Sequence, residues 1–326
     1  MKHISILVPT GAVLGSIEGP RQVFTEANKF SINIGKPGFC KIQLVGLTKE
    51  VPAAGGKYTV NTDAVLSEIL KTDLIIIPAL DGDMIKILEE NKEFLPWIVE
   101  QHNAGAEVAS LCVGAFMLAS TGLLDGKNCS THWNYANKFR TLYPNVNLQT
   151  DELITDENGI YTNGGAYSFL NLVLYLVEKY YDRKTAIFCS KVFQIEMDRQ
   201  SQSPFIIFKG QKQHNDEMVK EAQAYIENSL TERISIESLS SKFSVGRRNF
   251  DRRFIKATGN TPIEYAQRVK VESAKKSLET TRKSINEVMY EVGYADMKAF
   301  REVFRRFTGV SPLTYKTKYN KDGANI

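Results

Sequence analysis

The sequence predicts two domains: a three-layer α/β sandwich with a mostly parallel sheet, and an all-α domain with two helix–turn–helix units. The length of 326 residues is typical of two or three domains. Apolar runs alternate with helical patterns through residues 1–196, which indicates a parallel sheet covered on both faces. A polar stretch, residues 197–215, separates this part from residues 216–326, which have a helical pattern throughout and contain an internal repeat.

Strands of the first domain are expected where short apolar runs end in turn residues. The expected strands are residues 4–9, 40–48, 73–80, 106–111 and 160–163. Helical periodicity predicts helices between them, over residues 20–30, 63–70, 83–101, 113–121 and 166–181. This alternation predicts the sandwich.

Composition limits the class of protein. The longest apolar run, residues 74–80, is far too short to span a membrane. The apolar start stops at Pro9 and favours a first strand over a signal peptide. The four cysteines are widely spaced without a CxxC motif, which argues against a disulfide framework and a zinc site. We therefore expect a cytoplasmic protein with reduced thiols, no metal and no cofactor.

Charge is divided unevenly along the chain. Residues 1–205 carry 18 Lys and Arg against 22 Asp and Glu, a net charge of −4. Residues 206–326 carry 23 against 15, a net charge of +8. A basic half joined to an acidic half indicates that the second half meets a polyanion.

The second half contains one unit written twice. FDRRFIKATGNTPIEY, residues 250–265, aligns with FREVFRRFTGVSPLTY, residues 300–315, at a constant offset of 50. Each copy lies in a pattern of helix, tight turn and second helix, over residues 236–257 and 285–308. The phenylalanine pair at i and i+4 marks the buried face of each second helix.

The opposite faces of these second helices are charged. They carry Arg247, Arg248, Asp251 and Arg252 in the first unit, and Lys298, Arg301, Glu302 and Arg305 in the second. Such residues could simply be solvated. The duplication and the basic excess instead favour two helices in successive major grooves, about 34 Å apart.

Residues 216–326 resemble the DNA-binding domain of AraC/XylS-type transcription activators, since "TG..P..Y" occurs in both copies. The resemblance implies that a long helix, residues 262–280, joins the two units, and that the protein binds promoter DNA, activates transcription and works with RNA polymerase. It implies base contacts from the early outward positions: Arg248, Asp251, Arg252, Met297, Lys298, Arg301 and Glu302. Phosphate contacts are expected from Lys256, Arg305 and Arg306.

The stretch VASLCVGAFML, residues 108–118, predicts a strand, a sharp turn and a helix. This arrangement places Cys112 at the carboxyl edge of the sheet, facing a crevice. A helix N-terminus there would lower the thiol pKa. His132 follows in SerThrHisTrp as a possible base.

Residues 1–190 resemble the ThiJ/PfpI branch of the class I glutamine amidotransferase-like proteins, which implies a flavodoxin-like sandwich. The resemblance rests on "SLCVGAFMLASTGLLDGKNCSTHW" and "GIYTNGGAYSFLNL", and it matches the form fused to AraC-type regulators, called GlxA-like. Catalytic relatives pair the cysteine with a histidine and often an acid from the first strand–helix loop. Ser16 occupies that acid position here, and Glu18 is out of register.

Three functions remain open for the first domain. The favoured one is a sensor that binds a small effector in the crevice, which the resemblance suggests is amino-acid-like or a quaternary amine. The expected lining is Ser16, Glu18, Cys112, Val113, His132, Trp133, Gly164 and Gly165. The alternatives are a cysteine-dependent amidase or hydrolase that also binds DNA, and an inert dimerisation module. We expect a homodimer and no catalysis.

Overall fold

A computed structural model describes residues 1–36, 38–197, 201–212, 214–232 and 234–320. The chain divides into two compact units, Met1–Gln202 and Ser203–Ile326. No helix among the described residues is long and apolar enough to cross a membrane.

The first unit is built on a seven-stranded sheet with the order β10-β11-β7-β6-β1-β2-β5. The pairs are parallel except for β10 and β11, which are antiparallel. The strands of this sheet are β1 (Lys2–Leu7), β2 (Cys40–Gly46), β5 (Ala64–Val65), β6 (Leu74–Ile77), β7 (Glu107–Ser110), β10 (Ile154–Asp156) and β11 (Ile160–Asn163). Two small two-stranded sheets accompany it: β3 (Glu50–Ala53) with β4 (Tyr58–Asn61), and β8 (Asn128–Cys129) with β9 (Asn147–Leu148).

Helices cover both faces of this sheet. They are α1 (Leu14–Asn33), α2 (Met84–Glu90), α3 (Phe94–Asn103), α4 (Ala115–Ser120), α5 (Ala136–Leu142), α6 (Phe169–Tyr180) and α7 (Arg183–Phe193). Successive residues of β6 point to opposite faces: Ile75 and Ile77 join the core under α2–α5, and Leu74 and Ile76 join the core under α1, α6 and α7. The predicted three-layer sandwich with a mostly parallel sheet is confirmed.

Three predicted helices of this unit have other bounds or another structure. Residues 63–70 form β5 and a short 3₁₀ turn, because Asp63 bonds to the backbone of Leu44 in β2 and draws the segment into the sheet. The helix predicted over residues 83–101 is broken at Asn91, whose side-chain amide is bonded to the backbone of Thr10. The helix expected to begin at Pro20 begins at Leu14, with the proline inside it.

The second unit is all helical. Its helices are α8 (Glu217–Asn228), α9 (Ile236–Lys242), α10 (Arg247–Thr258), α11 (Pro262–Thr280), α12 (Ile285–Glu291), α13 (Met297–Thr308) and α14 (Pro312–Tyr319). Two apolar cores correspond to the two repeats, one around Phe250 and Phe254 and the other around Phe300 and Phe304. The predicted pair of helix–turn–helix units, α9–α10 and α12–α13, is confirmed.

The repeated threonine and glycine end each second helix in the same way. The Thr258 hydroxyl donates to the carbonyl oxygen of Phe254, and the Thr308 hydroxyl donates to that of Phe304. The following glycine has a positive φ, 70° in the first copy and 73° in the second, which suits a residue without a Cβ. The repeated threonine and glycine therefore mark the end of α10 and of α13.

The repeated proline and tyrosine begin the next helix and fix it to the core. Each proline occupies the first turn of that helix. Tyr265 donates a hydrogen bond to Glu227 and Tyr315 donates one to Glu279. Each tyrosine thus bonds to the helix that precedes its own unit.

The polar stretch predicted as a linker, residues 197–215, is folded against the two units over much of its length. Gln202 is fully buried in the first unit, and Phe208 packs in the second. Residues 198–200 and 213 lie outside the described residues. Polar composition predicts a linker but does not reveal which of its backbone and amide groups find partners.

Candidate functional site

The first candidate site is the turn that follows β7. Cys112 has a positive φ of 55°, a sparsely populated conformation for a residue with a side chain. A 3₁₀ turn, Cys112–Gly114, leads from it into α4. A Cβ on Gly114 would overlap the carbonyl oxygen of Pro78 and lie 2.9 Å from that of Ile77, so only glycine fits. The sharp elbow expected from the sequence is present.

The thiol at this elbow is buried. Cys112 is 5% exposed, and burial raises its thiol pKa to about 12, although the backbone N–H of Val113 acts in the opposite direction. The sequence-based expectation of a lowered pKa is therefore wrong. Desolvation of a thiolate outweighs the short helix that follows it. The thiol is protonated and a poor nucleophile near pH 7.

His132 is not positioned as a base for this thiol. Its Nδ1 accepts a hydrogen bond from the backbone N–H of Asn134 at 3.1 Å, and burial lowers its pKa. Among the described residues no hydrogen bond joins the imidazole to Cys112. The ring instead lies 5.4 Å from the ring of Trp133 and 6.2 Å from that of Tyr135. The imidazole is neutral and forms part of an aromatic group.

Neither acid candidate completes a catalytic set. The Ser16 hydroxyl is buried, donates to the carbonyl oxygen of Val13 at 2.7 Å and accepts from the N–H of Ala79 at 2.9 Å. It joins the start of α1 to the loop after β6. The Glu18 carboxylate accepts hydrogen bonds from Arg21 and Gln22, and the bond to Arg21 lowers its pKa. The hydrogen-bond partners of Ser16 lie at the start of α1 and in the loop after β6, and those of Glu18 lie within α1.

Two polar residues that the sequence did not single out as site residues hold the elbow. The Cys112 N–H donates to Asn163 Oδ1 at 3.3 Å, and the Thr131 hydroxyl donates to the Cys112 carbonyl oxygen at 2.9 Å. Both are buried, and Asn163 Nδ2 donates to the Gly164 carbonyl oxygen at 2.9 Å. Their positions, next to His132 and before Gly164, were the only sequence signal of this role.

Of the remaining predicted lining residues, Val113, Gly164 and Gly165 lie close to the elbow. Val113 is buried directly after Cys112. Gly165 has a φ of 84°, and the Ser168 hydroxyl donates to the carbonyl oxygen of Gly164 as the chain enters α6. Val113 follows the carboxyl end of β7, and Gly164 and Gly165 follow that of β11. Trp133 is half-buried beside His132.

No group of three His, Cys, Asp or Glu side chains within the described parts of the chain is arranged to hold a metal ion.

The second candidate site is the outer surface of α10 and α13. Most of the predicted DNA contacts are exposed there: Arg247, Arg248, Arg252, Lys256, Lys298, Arg301, Glu302, Arg305 and Arg306. α10 and α13 hold these side chains outward because the phenylalanines on their other faces are fully buried. Eight of these nine exposed residues are arginine or lysine, which suits a phosphate backbone.

Four of the predicted DNA contacts are partly buried or are bonded to other residues of the second unit. Met297 is partly buried and packs against the core of the second unit. One carboxylate oxygen of Asp251 is buried and has no hydrogen-bond partner in the described parts of the chain. Arg247 forms an exposed ion pair with Glu237 at 2.7 Å. Arg306 donates to Gln267 at 3.2 Å. Helical spacing predicts the side of a helix but not these neighbours.

Two adjacent arginines of α10 have different environments. Arg253 donates two hydrogen bonds to Asp216, at 2.8 and 2.6 Å, and Asp216 also accepts from the backbone N–H of Val219 at the start of α8. Arg252 is exposed and donates to Asn249 on its own helix at 3.2 Å. Arg253 is therefore structural, and Arg252 is available to a ligand.

Residues 6–179 match the DJ-1/PfpI family, and residues 239–318 match a family described as a helix-turn-helix domain. The chain is 26% identical over 265 residues to the HTH-type transcriptional regulator GbdR of Pseudomonas aeruginosa, covering 81% of this chain and 71% of that protein. It is 22% identical over 212 residues to the HTH-type transcriptional regulator GlxA of Rhizobium meliloti, covering 64% of each.

A solved structure shows the same fold for the first unit. The AraC family transcriptional regulator from Pseudomonas putida superposes with a TM-score of 0.51 and 15% identity, covering 59% of this chain and 100% of that one.

Proposed function

The chain belongs to the DJ-1/PfpI family and carries an AraC-type helix–turn–helix domain, and we propose that a small molecule bound beside Cys112 controls how the second unit binds promoter DNA. The helix–turn–helix match and the named relatives make the chain a DNA-binding transcriptional regulator.

The single observation that carries this proposal is the state of the elbow. The turn is built like one that presents a nucleophile, but its thiol is buried and protonated, its histidine is bonded elsewhere, and its acid position is a serine bonded to backbone groups. Such a site lacks the activated thiolate that covalent catalysis requires. A ligand bound beside it would therefore not be changed by this thiol.

The proposed ligand is a small amino-acid-like or quaternary-amine molecule. Half-buried Trp133, which lies beside the His132 ring, offers an aromatic face that attracts cations. The imidazole is neutral because burial lowers its pKa, so it does not repel a positive ligand near pH 7. The family resemblance suggested the same classes of ligand.

For the second unit, we propose that α10 and α13 read two successive major grooves. The recognition surface consists of the exposed basic residues on these two helices together with the acidic Glu302, which accepts a hydrogen bond from cytosine. We propose further that the protein acts as a homodimer in the cytoplasm and activates transcription with RNA polymerase. Sedimentation as a monomer at micromolar concentration would count against the dimer.

The test uses the full chain. A duplex is first selected from a random pool by the protein, and its affinity is measured against salt, where binding should weaken steeply. The full chain is then screened for thermal stabilisation by amino acids, amines and betaines. A ligand at about 100 times its dissociation constant should add about 2.7 kcal/mol.

The screen also separates the sensor from the two alternatives. A ligand recovered unchanged that alters affinity for the duplex supports the sensor. Turnover of an amide or ester that is lost in Cys112→Ala would establish the hydrolase instead. Duplex binding that no compound in the panel alters would favour the inert dimerisation module.

A further inference from the structure

The segment that carries the chain out of the first unit begins at the elbow site. Gln202 is fully buried there. Its Nε2 donates to the carbonyl oxygen of Thr131 at 3.0 Å and to that of Glu152 at 3.3 Å. Two carbonyl oxygens around one atom identify that atom as the nitrogen of the amide. The orientation of the side chain is therefore defined by its partners.

A single residue, Thr131, connects the Gln202 amide to the elbow through hydrogen bonds. Thr131, whose carbonyl oxygen accepts from Gln202, donates its hydroxyl hydrogen bond to the carbonyl oxygen of Cys112. A Cβ on Gly164 would overlap Gln202 Nε2 and lie 2.6 Å from its Cδ. The absence of a side chain at Gly164 is thus what makes room for the amide.

The backbone of the same segment is tied to the first unit. Ser201 pairs with Glu152, the Ser201 hydroxyl donates to the carbonyl oxygen of Asp151 at 2.7 Å, and the Gln202 N–H donates to the same oxygen at 3.1 Å. Gln202 Oε1, in contrast, is buried with no hydrogen-bond partner among the described residues. An unsatisfied buried acceptor costs free energy, so only the nitrogen of the amide contributes hydrogen bonds that stabilise its position.

The next residues belong to the second unit, which begins at Ser203. Ser203–Phe205 form a 3₁₀ turn beside the end of α13, where a Cβ on Gly309 would lie 3.9 Å from Ser203 Cβ and from Pro204 Cδ. Within the second unit, the first residues of the segment therefore lie against the end of the second recognition helix.

The following residues are bonded to α11, the helix that joins the two helix–turn–helix units. Lys275, a buried residue of α11, donates to the carbonyl oxygen of Ile206. The Phe208 N–H donates to Glu272 Oε2 at 3.1 Å. Both bonds hold the segment to the element that spaces the two recognition helices.

We propose that residues 201–208, which we call the strap, transmit the state of the Cys112 elbow to the second helix–turn–helix unit, with Gln202 as the positioning residue that senses the elbow. This inference rests on the proposed function. A ligand that moves the Thr131 turn changes the hold on Gln202, and the strap carries that change to α13 and α11. Coupling between two sites is reciprocal, so DNA bound by the second unit must also change the elbow.

Reciprocity allows a test that needs no effector. Trp133 follows His132 directly after Thr131 and reports on this turn, and the chain has 2 tryptophans. The indole nitrogen of the other, Trp97, is buried and has no hydrogen-bond partner among the residues that the structure describes, so Trp97→Phe removes no hydrogen bond seen there. In this background the selected duplex is added to the full chain, and the emission of Trp133 is recorded beside the anisotropy of the labelled duplex.

The duplex should change Trp133 emission in the Trp97→Phe protein, and Gln202→Ala should abolish that change while the duplex still binds. Gln149→Ala, which removes an exposed glutamine amide of the same unit, should retain it. Because loss of a buried amide can impair folding, a second variant inserts Gly-Gly-Ser after Gln202 and leaves every side chain in place. It should also lose the change.

Three outcomes decide the matter. Loss of the emission change in both strap variants, with the duplex bound, supports the strap. A change retained in both variants, or absent from the Trp97→Phe protein although the duplex binds, overturns it. Failure of every protein to bind any duplex refutes the proposed function itself, which anisotropy reveals independently of the emission.

Discussion

At the residue scale, the environment of Cys112 determines its chemistry more than its position does. Burial in an apolar surrounding favours the neutral thiol and raises its pKa to about 12. A thiolate is the reactive form, so the fraction available near pH 8 is on the order of a thousand-fold below that of an ordinary thiol. The elbow geometry alone would have suggested the opposite.

We therefore predict slow alkylation of Cys112. In the folded chain at pH 8, iodoacetamide should modify the peptide containing Cys112 at least a hundred-fold more slowly than in urea, roughly as its thiolate fraction requires. The measurement is mass spectrometry of the digested protein over time. Rapid modification of the folded chain at this residue would show an activated thiol and would revive the hydrolase.

Because burial raises the pKa of the Cys112 thiol, the stability of the folded chain depends on pH. The pKa of the Cys112 thiol is about 12 in the folded state against an ordinary value of 9.0. Its contribution to stability is complete below about pH 9 and is lost as the pH rises towards 12, because the unfolded chain releases that proton first. Between pH 8.5 and 10.5, Cys112→Ala should therefore lose less free energy of unfolding than the parent in urea titrations.

Arg252 and Arg253 provide a matched pair on one helix. Arg252→Ala should lose about 1–3 kcal/mol of affinity for the selected duplex, with an unchanged melting temperature, because its side chain is exposed. Arg253→Ala should instead lower the melting temperature, since Asp216 loses the partner that orients this cap. Duplex titrations and thermal melts distinguish the two, and an exchange of these effects would contradict the assignment of α10.

At the element scale, the elbow depends on close contact between the 3₁₀ turn before α4 and the end of β6. Gly114 lies against the carbonyl oxygens of Ile77 and Pro78 with no room for a methyl group. The small residue that the sequence suggested as a requirement of a tight turn is thus needed for contact with β6.

Substitution of two glycines by alanine should have different effects. Gly114→Ala should lower the free energy of unfolding by about 1–3 kcal/mol because it overpacks the elbow. Gly15→Ala lies in the first turn of α1, where no atom of the described residues comes within 4 Å of the new methyl group, and it should not lower stability. Urea denaturation of both proteins measures the contrast, and equal stabilities would show that the strand ends move aside for the elbow.

At the scale of the whole molecule, the second unit contains two copies of the helix–turn–helix unit and therefore two separate recognition helices. Each has its own apolar core, its own helix stop and its own tyrosine bond to the preceding helix. We therefore propose that the two helices contact DNA as separate modules held by α11. Independent contacts contribute additively to affinity.

Double substitution tests this independence. Arg252→Ala and Arg301→Ala should each weaken binding to the selected duplex, and their losses should add within about 0.5 kcal/mol in the double variant. Titration of the four proteins at one fixed salt concentration gives the comparison. A double variant no weaker than either single one would mean that only one of the two helices engages the duplex.

The sequence by itself determined the sandwich, the duplicated helix–turn–helix and the elbow, because these follow from local patterns. Apolar runs, a repeat at constant offset and small residues around a cysteine depend on near neighbours and survive as one-dimensional signals. The second helix of each repeat could be predicted closely for this reason, as α10 and α13 show.

Only the tertiary structure decided how the site works. The thiol pKa depends on burial, and the bonds of Ser16, Asn163 and Thr131 join elements far apart in the chain. The segment predicted as a helix over residues 63–70 forms β5 and a 3₁₀ turn, because β5 pairs with β2. Gln202 occupies a polar stretch that resembles a linker, and its burial beside Gly164 follows from packing across 38 residues of sequence. Interactions between distant residues leave no period in the sequence, so their consequences appear only when the chain is folded.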